Sequence, residues 1–474
     1  MRRVAPIAFI GLLAVSSAAA DTIVLKNGRH IIASNVTETA DRVSYETPAG
    51  TLSLPRSIVD RIVRNDLSPS GFGPSEAPPI SAPRLDVGEG YAELAEHVVR
   101  SGAIDTALLA TLEGEARGGS AEAIAKVAAA HHAAAQFLAA KGQLDAAANQ
   151  YKRALIFAPD SVPLLLNLAV LDLRQSQYTA ALDPLARARR LEPDSADVAK
   201  LMGWAYSGAN KLDLAVEEWN RALKLRPDAE VTSALAKAKQ DRDEEASYRE
   251  GETAHFSVKY SGAAAPDLAR GILRALEDDY RDLQSQLDFS PPEPIGVILY
   301  TNQAFADITR APGWAGALND GRIRVPVQGL AAVTGELSHV LKHELTHSFI
   351  TQKTHGRCPT WLQEGVAQFM EGRRSRDSAA ALVDAYEHNS APSFGQMEGS
   401  WMGLSGDSAA FSYAWSLAAV EAIVFTGGMS DISRLLDHVA TDSSTEAALI
   451  ASLRMDYAEL AHQTSAYLRR NYVR

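Results

Sequence analysis

Four residues in the C-terminal half of the chain have the types and spacing for metal-assisted hydrolysis: His343, Glu344, His347 and Glu364. His343 and His347 stand four apart in Leu341-Lys342-His343-Glu344-Leu345-Thr346-His347-Ser348. Leu337, Leu341 and Leu345 repeat at the same step, so the segment reads as a helix with both imidazoles on one face. Zinc accepts imidazole nitrogen and, in catalytic sites, keeps one position for water. Glu344, beside the first ligand, is placed to take a proton from that water. A third ligand is offered by Glu364, in Trp361-Leu362-Gln363-Glu364-Gly365-Val366-Ala367, a second helical segment opened by Pro359. An unpaired carboxylate among apolar neighbours is costly, and a zinc ion supplies the missing charge. The expected metal set is therefore His343, His347 and Glu364, holding one Zn2+ per chain.

His-Glu-x-x-His followed by Trp-Leu-x-Glu-Gly-x-Ala resembles the gluzincin metallopeptidases. It is most similar to the bacterial peptidase MA-like domain and more distantly similar to the aminopeptidase N family. The resemblance covers roughly the last 220 residues. It implies a zincin-like fold, zinc held by His343, His347 and Glu364, and Glu344 as general base. It adds Tyr413, in Phe411-Ser412-Tyr413-Ala414-Trp415-Ser416, as a catalytic donor to the oxyanion. Two departures bear on substrate. The gap between His347 and Glu364 is 16 residues, shorter than in aminopeptidase N relatives. Their Gly-x-Met-Glu-Asn motif, which holds a free amine, is replaced by Gly316-Ala317-Leu318-Asn319-Asp320. The expectation is an endopeptidase.

Several elements must position these groups. His255–Tyr260 and Pro294–Tyr300 read as strands, with a long helix from Pro266 to Leu287 between them. Asn319-Asp320-Gly321 reads as a turn into Arg322–Val327. Pro326 predicts that this last strand is an edge, with Gly321 to Val327 bordering the cleft, where an extended peptide can pair. Helices alone are expected after Glu364, among them Ala409–Phe425 and Ala447–Arg470. Cys358 and His339 lie near the motifs, but three protein ligands suffice, so neither is expected to bind metal. His131, His132 and His355 read as structural.

Upstream, Pro159, Pro193 and Pro227 are 34 apart, each followed by Asp. At the same step stand Ala147, Ala181 and Ala215; Tyr151, Leu185 and Trp219; and Ala135, Ala169 and Gly203. The period resembles the tetratricopeptide repeat. Small residues let two helices approach, a large one fills the space beside them, and Pro stops the second helix. Three units span about residues 128–229. Such arrays present grooves, so a protein partner or substrate is expected there; a rigid spacer is the alternative.

Residues 1–20 read as a secretory signal: Arg2 and Arg3, an apolar run Val4–Val15, and Ala18-Ala19-Ala20. The run is too short to span a membrane, and no membrane span is expected elsewhere. The expected location is periplasmic or secreted, with a mature start near Asp21. Formal net charge is −12, and −14 without Arg2 and Arg3, which argues against nucleic-acid partners. Cys358 is the sole cysteine, so no intrachain disulfide forms.

The expected architecture is an α+β multidomain chain. After the signal come a small, barrel-like β module of four or five strands (21–66), with an Asn27-Gly28 turn, and a Pro/Ser/Gly-rich linker (67–86). A helical region with the repeats (87–250), capped by a polar helix from Ala229 to Glu250, precedes the zincin-like domain (251–474). The enzyme reading competes with a zincin fold that has lost activity and serves as a scaffold. It also competes with a zinc hydrolase of another bond, such as an envelope amidase.

Overall fold

The structure is a computed structural model. It describes residues 20–63, 91–260, 266–300 and 318–473, apart from 26–29, 40–41, 48–49, 320, 328–329, 331, 400, 402–403, 405 and 443. The signal segment up to residue 19, the Asn27-Gly28 turn and the linker fall outside the described residues.

The N-terminal module is one five-stranded antiparallel sheet. Its strands are β1 (Ala20–Leu25), β2 (His30–Glu38), β3 (Arg42–Thr47), β4 (Gly50–Pro55) and β5 (Val59–Val63). The first four form a meander, and β5 returns to β1, giving the order β4-β3-β2-β1-β5. Val36, Val43 and Val59 are buried.

The 34-residue period becomes three antiparallel helix pairs: Ala121–Ala140 with Leu144–Phe157, Val162–Arg174 with Tyr178–Leu191, and Ala196–Gly208 with Leu212–Leu225. Tyr91–Val98 and Thr106–Ala116 precede them, with a two-stranded ribbon, β6 (Val99–Arg100) and β7 (Ala103–Ile104), between. The packing logic of the period is direct. A Cβ on Gly203 would lie 2.3 Å from the Trp219 ring, so the small residue makes room for the large one. His131 and His132 serve this core: His131 bonds Gln150 and Glu113, and Tyr151 Oη meets His132 Nδ1 at 3.0 Å. Helix Val162–Arg174 is buried on every face, from Leu164 through Leu173.

The array is docked on the C-terminal domain. Its capping helix, Ala229–Glu245, ends five residues earlier than expected and runs into β8 (Arg249–Glu252). The C-terminal sheet adds β9 (Phe256–Tyr260), β10 (Ile295–Tyr300), β11 (Leu318–Asn319) and β12 (Arg322–Pro326), in the order β11-β12-β10-β9-β8. Period-2 alternation divides its two faces. Phe256, Val258, Val297, Leu299, Ile323 and Val325 enter the hydrophobic core with the helix Pro266–Leu287. The opposite face presents Arg322 and Arg324 to the capping helix. Arg324 Nη2 and Nη1 donate to Asp241 at 2.8 and 3.2 Å, and Arg322 donates to Asp241 and Glu245 at 2.5 and 2.9 Å. Gly296, in register with Arg322, leaves room for its stem.

The turns inside the three repeats, at Gly142, Ser176 and Asn210, all have positive φ and lie 34 apart. They face the same way. A Cβ on Gly142 would collide with Ala440 O and Arg357, Thr179 N donates to Glu293, and Asn210 accepts from Arg322 at 3.2 Å.

Two expectations need correction. Strand β12 is not the edge: β11 pairs with it at Ile323 and Arg324, so the outermost strand beside the site is β11. The C-terminal helix is two helices, Thr445–Leu453 and Tyr457–Asn471, broken where Arg454 adopts φ +58. A side chain there cannot continue a right-handed helix.

Candidate metal site

Three helices build the site. The first, Gly335–Lys353, starts at Thr334, whose side chain accepts from Leu337 N at 3.1 Å. Its Leu337, Leu341, Leu345 and Phe349 enter the core, which turns His343 and His347 the other way. The second, Thr360–Met370, has Pro359 at its N-cap and carries Glu364, 3% exposed. The third, Gly406–Gly427, carries Tyr413. That helix is apolar enough over Ser408–Gly427 to cross a membrane by composition, but 61% of the stretch is buried inside the protein.

Gly365 sets the spacing between the second and third helices. A Cβ there would lie 2.5 Å from Ser416 O, so only glycine permits this crossing. The Gly of the Trp-Leu-x-Glu-Gly segment thus brings Tyr413 toward Glu364. Gln368 ties the same crossing, donating to Glu364 O and Tyr413 O at 3.1 Å each. Sequence reasoning missed both roles; Gly inside an otherwise strong helix was the available signal.

The donor atoms of His343, His347 and Glu364 all lie within 4.8 Å of one another. His343 Nε2 is 3.6 Å from Glu364 Oε2, and His347 Nε2 is 3.7 Å from Glu364 Oε1. These distances are too long for hydrogen bonds. They suit ligands of one tetrahedral zinc, which stand about 3.4 Å apart when metal bonds are about 2.0–2.2 Å. His347 Nδ1 and Tyr413 Oη are buried without a hydrogen-bond partner among the described residues.

The two imidazoles differ: burial works against a proton on His343, but the carboxylates of Glu364, Glu371 and Glu344 push it up to about 10. Burial pushes His347 down to about 4, which keeps its imidazole neutral as a ligand must be. Burial works against Glu364, but His347 and His343 beside it hold its carboxyl below the ordinary value. Glu344 is pushed up to about 7 by burial, with Glu364 and Glu371 adding to the rise and His343 opposing it. A carboxyl that titrates near neutrality is matched to proton transfer at that pH. Burial raises Tyr413 further, and the carboxylates of Glu364 and Glu344 contribute, which keeps its hydroxyl protonated.

The remaining candidates lie outside the metal set. His339 Nδ1 meets the main-chain oxygen of Glu371 at 2.5 Å. Cys358 is only partly buried and joins no metal cluster among the described residues. Glu371, 6% exposed, was not singled out by sequence; its Oε2 lies 3.3 Å from His343 Nδ1. A carboxylate there orients the imidazole.

Residues 280–470 match the sequence profile of the Peptidase MA superfamily. Among curated proteins, the Protein CTR9 homolog of Arabidopsis thaliana is 33% identical over 94 residues, 20% of this chain, and the match spans 9% of that relative's length. Among solved structures, the first TPR domain of the human RPAP3 protein is 24% identical, covering 24% of this chain and 90% of that one, with a TM-score of 0.23. MamA from Desulfovibrio magneticus is 22% identical, covering 34% of this chain and 87% of that one, with a TM-score of 0.26. In this chain a tetratricopeptide-type array precedes a domain of the Peptidase MA superfamily.

Proposed function

We propose that this protein is an exported zinc endopeptidase. The observation that carries the reading is the convergence of His343, His347 and Glu364 beside a half-buried Glu344 and the Tyr413 hydroxyl. His343, His347 and Glu364 would hold the zinc, which would supply Lewis acidity and lower the pKa of water. Glu344 would accept a proton from water and return it to the leaving amine. Tyr413 Oη donates a hydrogen bond to the oxyanion of the tetrahedral intermediate. The outermost strand, β11, offers its free edge to the substrate backbone. The amino-terminal pattern of Arg2, Arg3, an apolar run and Ala18–Ala20 supports export to the periplasm.

The test is cleavage of an unfolded protein such as β-casein by the zinc-loaded chain, with fragments identified by mass spectrometry. Internal cuts that vanish in Glu344→Gln, while that variant keeps its zinc, support the proposal. Equal cutting by Glu344→Gln contradicts it. No cutting by either sends the reading to the scaffold alternative.

A further inference from the structure

The buried charges of the repeat array are paired, with one exception. Glu113 accepts from Arg153 and faces His131; Glu218 pairs with Arg189; Lys200 joins Asp228 and Glu230. Asp172 is 4% exposed, and its carboxylate meets no hydrogen-bond donor among the described residues. Burial pushes its carboxyl up to about 6, with Lys152 pulling the other way from a distance.

The period shows why the site exists. Leu138, Asp172 and Tyr206 occupy one position in the three repeats. Their main-chain oxygens accept equivalent turn hydrogen bonds from Gln143, Gln177 and Lys211 at 3.0, 2.9 and 2.8 Å. Where its neighbours place a large side chain, the middle repeat places a short carboxylate. A cleft of about 390 Å³ opens there between helices Leu144–Phe157 and Tyr178–Leu191, lined by Asp172, Leu155, Leu168 and Pro184 among others. Ile156, 74% exposed, stands at its rim. That volume lies within the range of ligand sites, about 300–1,000 Å³.

The next junction along the array shows what the cleft lacks. There Arg189 stands where Leu155 does, and Glu218 where Pro184 does. The two pair, so the buried acid at that junction, which also borders a cleft of about 430 Å³, has a guanidinium partner. At the first junction Lys152 and Arg187 line the cleft, but no ion pair with Asp172 forms among the described residues. Arg187 Nη2 donates to Pro159 O at 2.8 Å. Lys152 lines the cleft from an exposed position and forms no ion pair with Asp172.

We propose that this cleft binds a lysine or arginine side chain from an extended segment of a protein partner. The cationic head rests on Asp172, the aliphatic stem lies along Leu155, Leu168 and Pro184, and a neighbouring apolar residue covers Ile156. Long basic side chains combine an apolar stem with a charged tip, which is the chemistry the cleft presents. The inference stands whether or not the partner is also a substrate of the metal site.

The test uses the chain lacking residues 1–20 with Glu344→Gln, so that no peptide is cut. The probe is a fluorescein-labelled pentapeptide, Ala-Ile-Lys-Leu-Ala, followed by anisotropy. Its counterpart carries norleucine for lysine. Expected are saturable binding of the lysine peptide, at least tenfold weaker binding of the norleucine peptide, and at least tenfold loss in Asp172→Asn. Asp172→Leu, which restores the residue type at position 138, loses binding while its unfolding temperature is unchanged or raised. Equal affinities for the two peptides, unchanged binding by Asp172→Asn, or no binding up to millimolar peptide overturns the proposal.

Discussion

Two clusters of buried charge lie on opposite sides of the C-terminal sheet. On one side Arg322 and Arg324 meet Asp241 and Glu245 of the capping helix, each at hydrogen-bond distance. On the other, His343, His347 and Glu364 approach one another at 3.6 and 3.7 Å without forming hydrogen bonds, and His347 Nδ1 and Tyr413 Oη have no hydrogen-bond partner among the described residues. The first cluster is complete as folded. The second holds a carboxylate with only imidazoles as ion-pair partners, spaced for a cation between them. Burial alone does not mark a functional site; burial with unmet bonding does.

Substitutions can break this contrast. Glu344→Gln should lower kcat by about 10²–10⁴ while zinc stoichiometry stays at the wild-type value, since the general base is not a ligand. Steady-state kinetics alongside metal analysis check it. Arg324→Ala leaves Asp241 partly unpaired in a buried interface, and urea unfolding should show a loss of about 3–5 kcal/mol. The joint replacement Arg324→Met with Asp241→Leu should cost less, because Arg322 keeps Glu245 as its partner and no charge is left wholly unpaired. If Arg324→Ala is silent, the network does not hold the array to the sheet. Tyr413→Phe should cut kcat by about 10² with little change in KM, which single-turnover kinetics would resolve.

The smallest effect concerns Asp172, the buried acid of the array that meets no ion pair among the described residues. Its folded carboxyl titrates near 6, above the ordinary value for Asp, so the folded chain holds the proton longer than the unfolded chain. Stability should therefore fall as pH rises from about 4 to about 6, then level off. In Asp172→Asn that decline disappears, as urea midpoints across the window would show.

The legible parts of the molecule were those encoded locally. His343, Glu344 and His347 announce themselves by spacing on one helix, and Glu364 by its apolar surroundings. The repeats follow from a period that survives in Ala147, Ala181 and Ala215 because close helix packing demands small residues. What escaped depended on contacts distant in sequence. Arg322 and Arg324 look like residues of an exposed edge strand, yet their partners lie about 80 positions upstream in a helix that reads as polar and solvent-facing. The identity of β11 as the outer strand follows from pairing that two residues cannot advertise. The role of Gly365 appears only once Ser416 is set against it.

The most direct test of the contrast is a zinc titration of the chelator-stripped chain, read by metal analysis and by unfolding temperature. About one zinc per wild-type chain is expected. At free zinc 100-fold above Kd, stabilisation of about 2.7 kcal/mol is also expected, with neither effect in His347→Ala. No bound zinc in the wild type, or an equal response in His347→Ala, would contradict the claim that the unmet groups of His343, His347 and Glu364 await a metal ion.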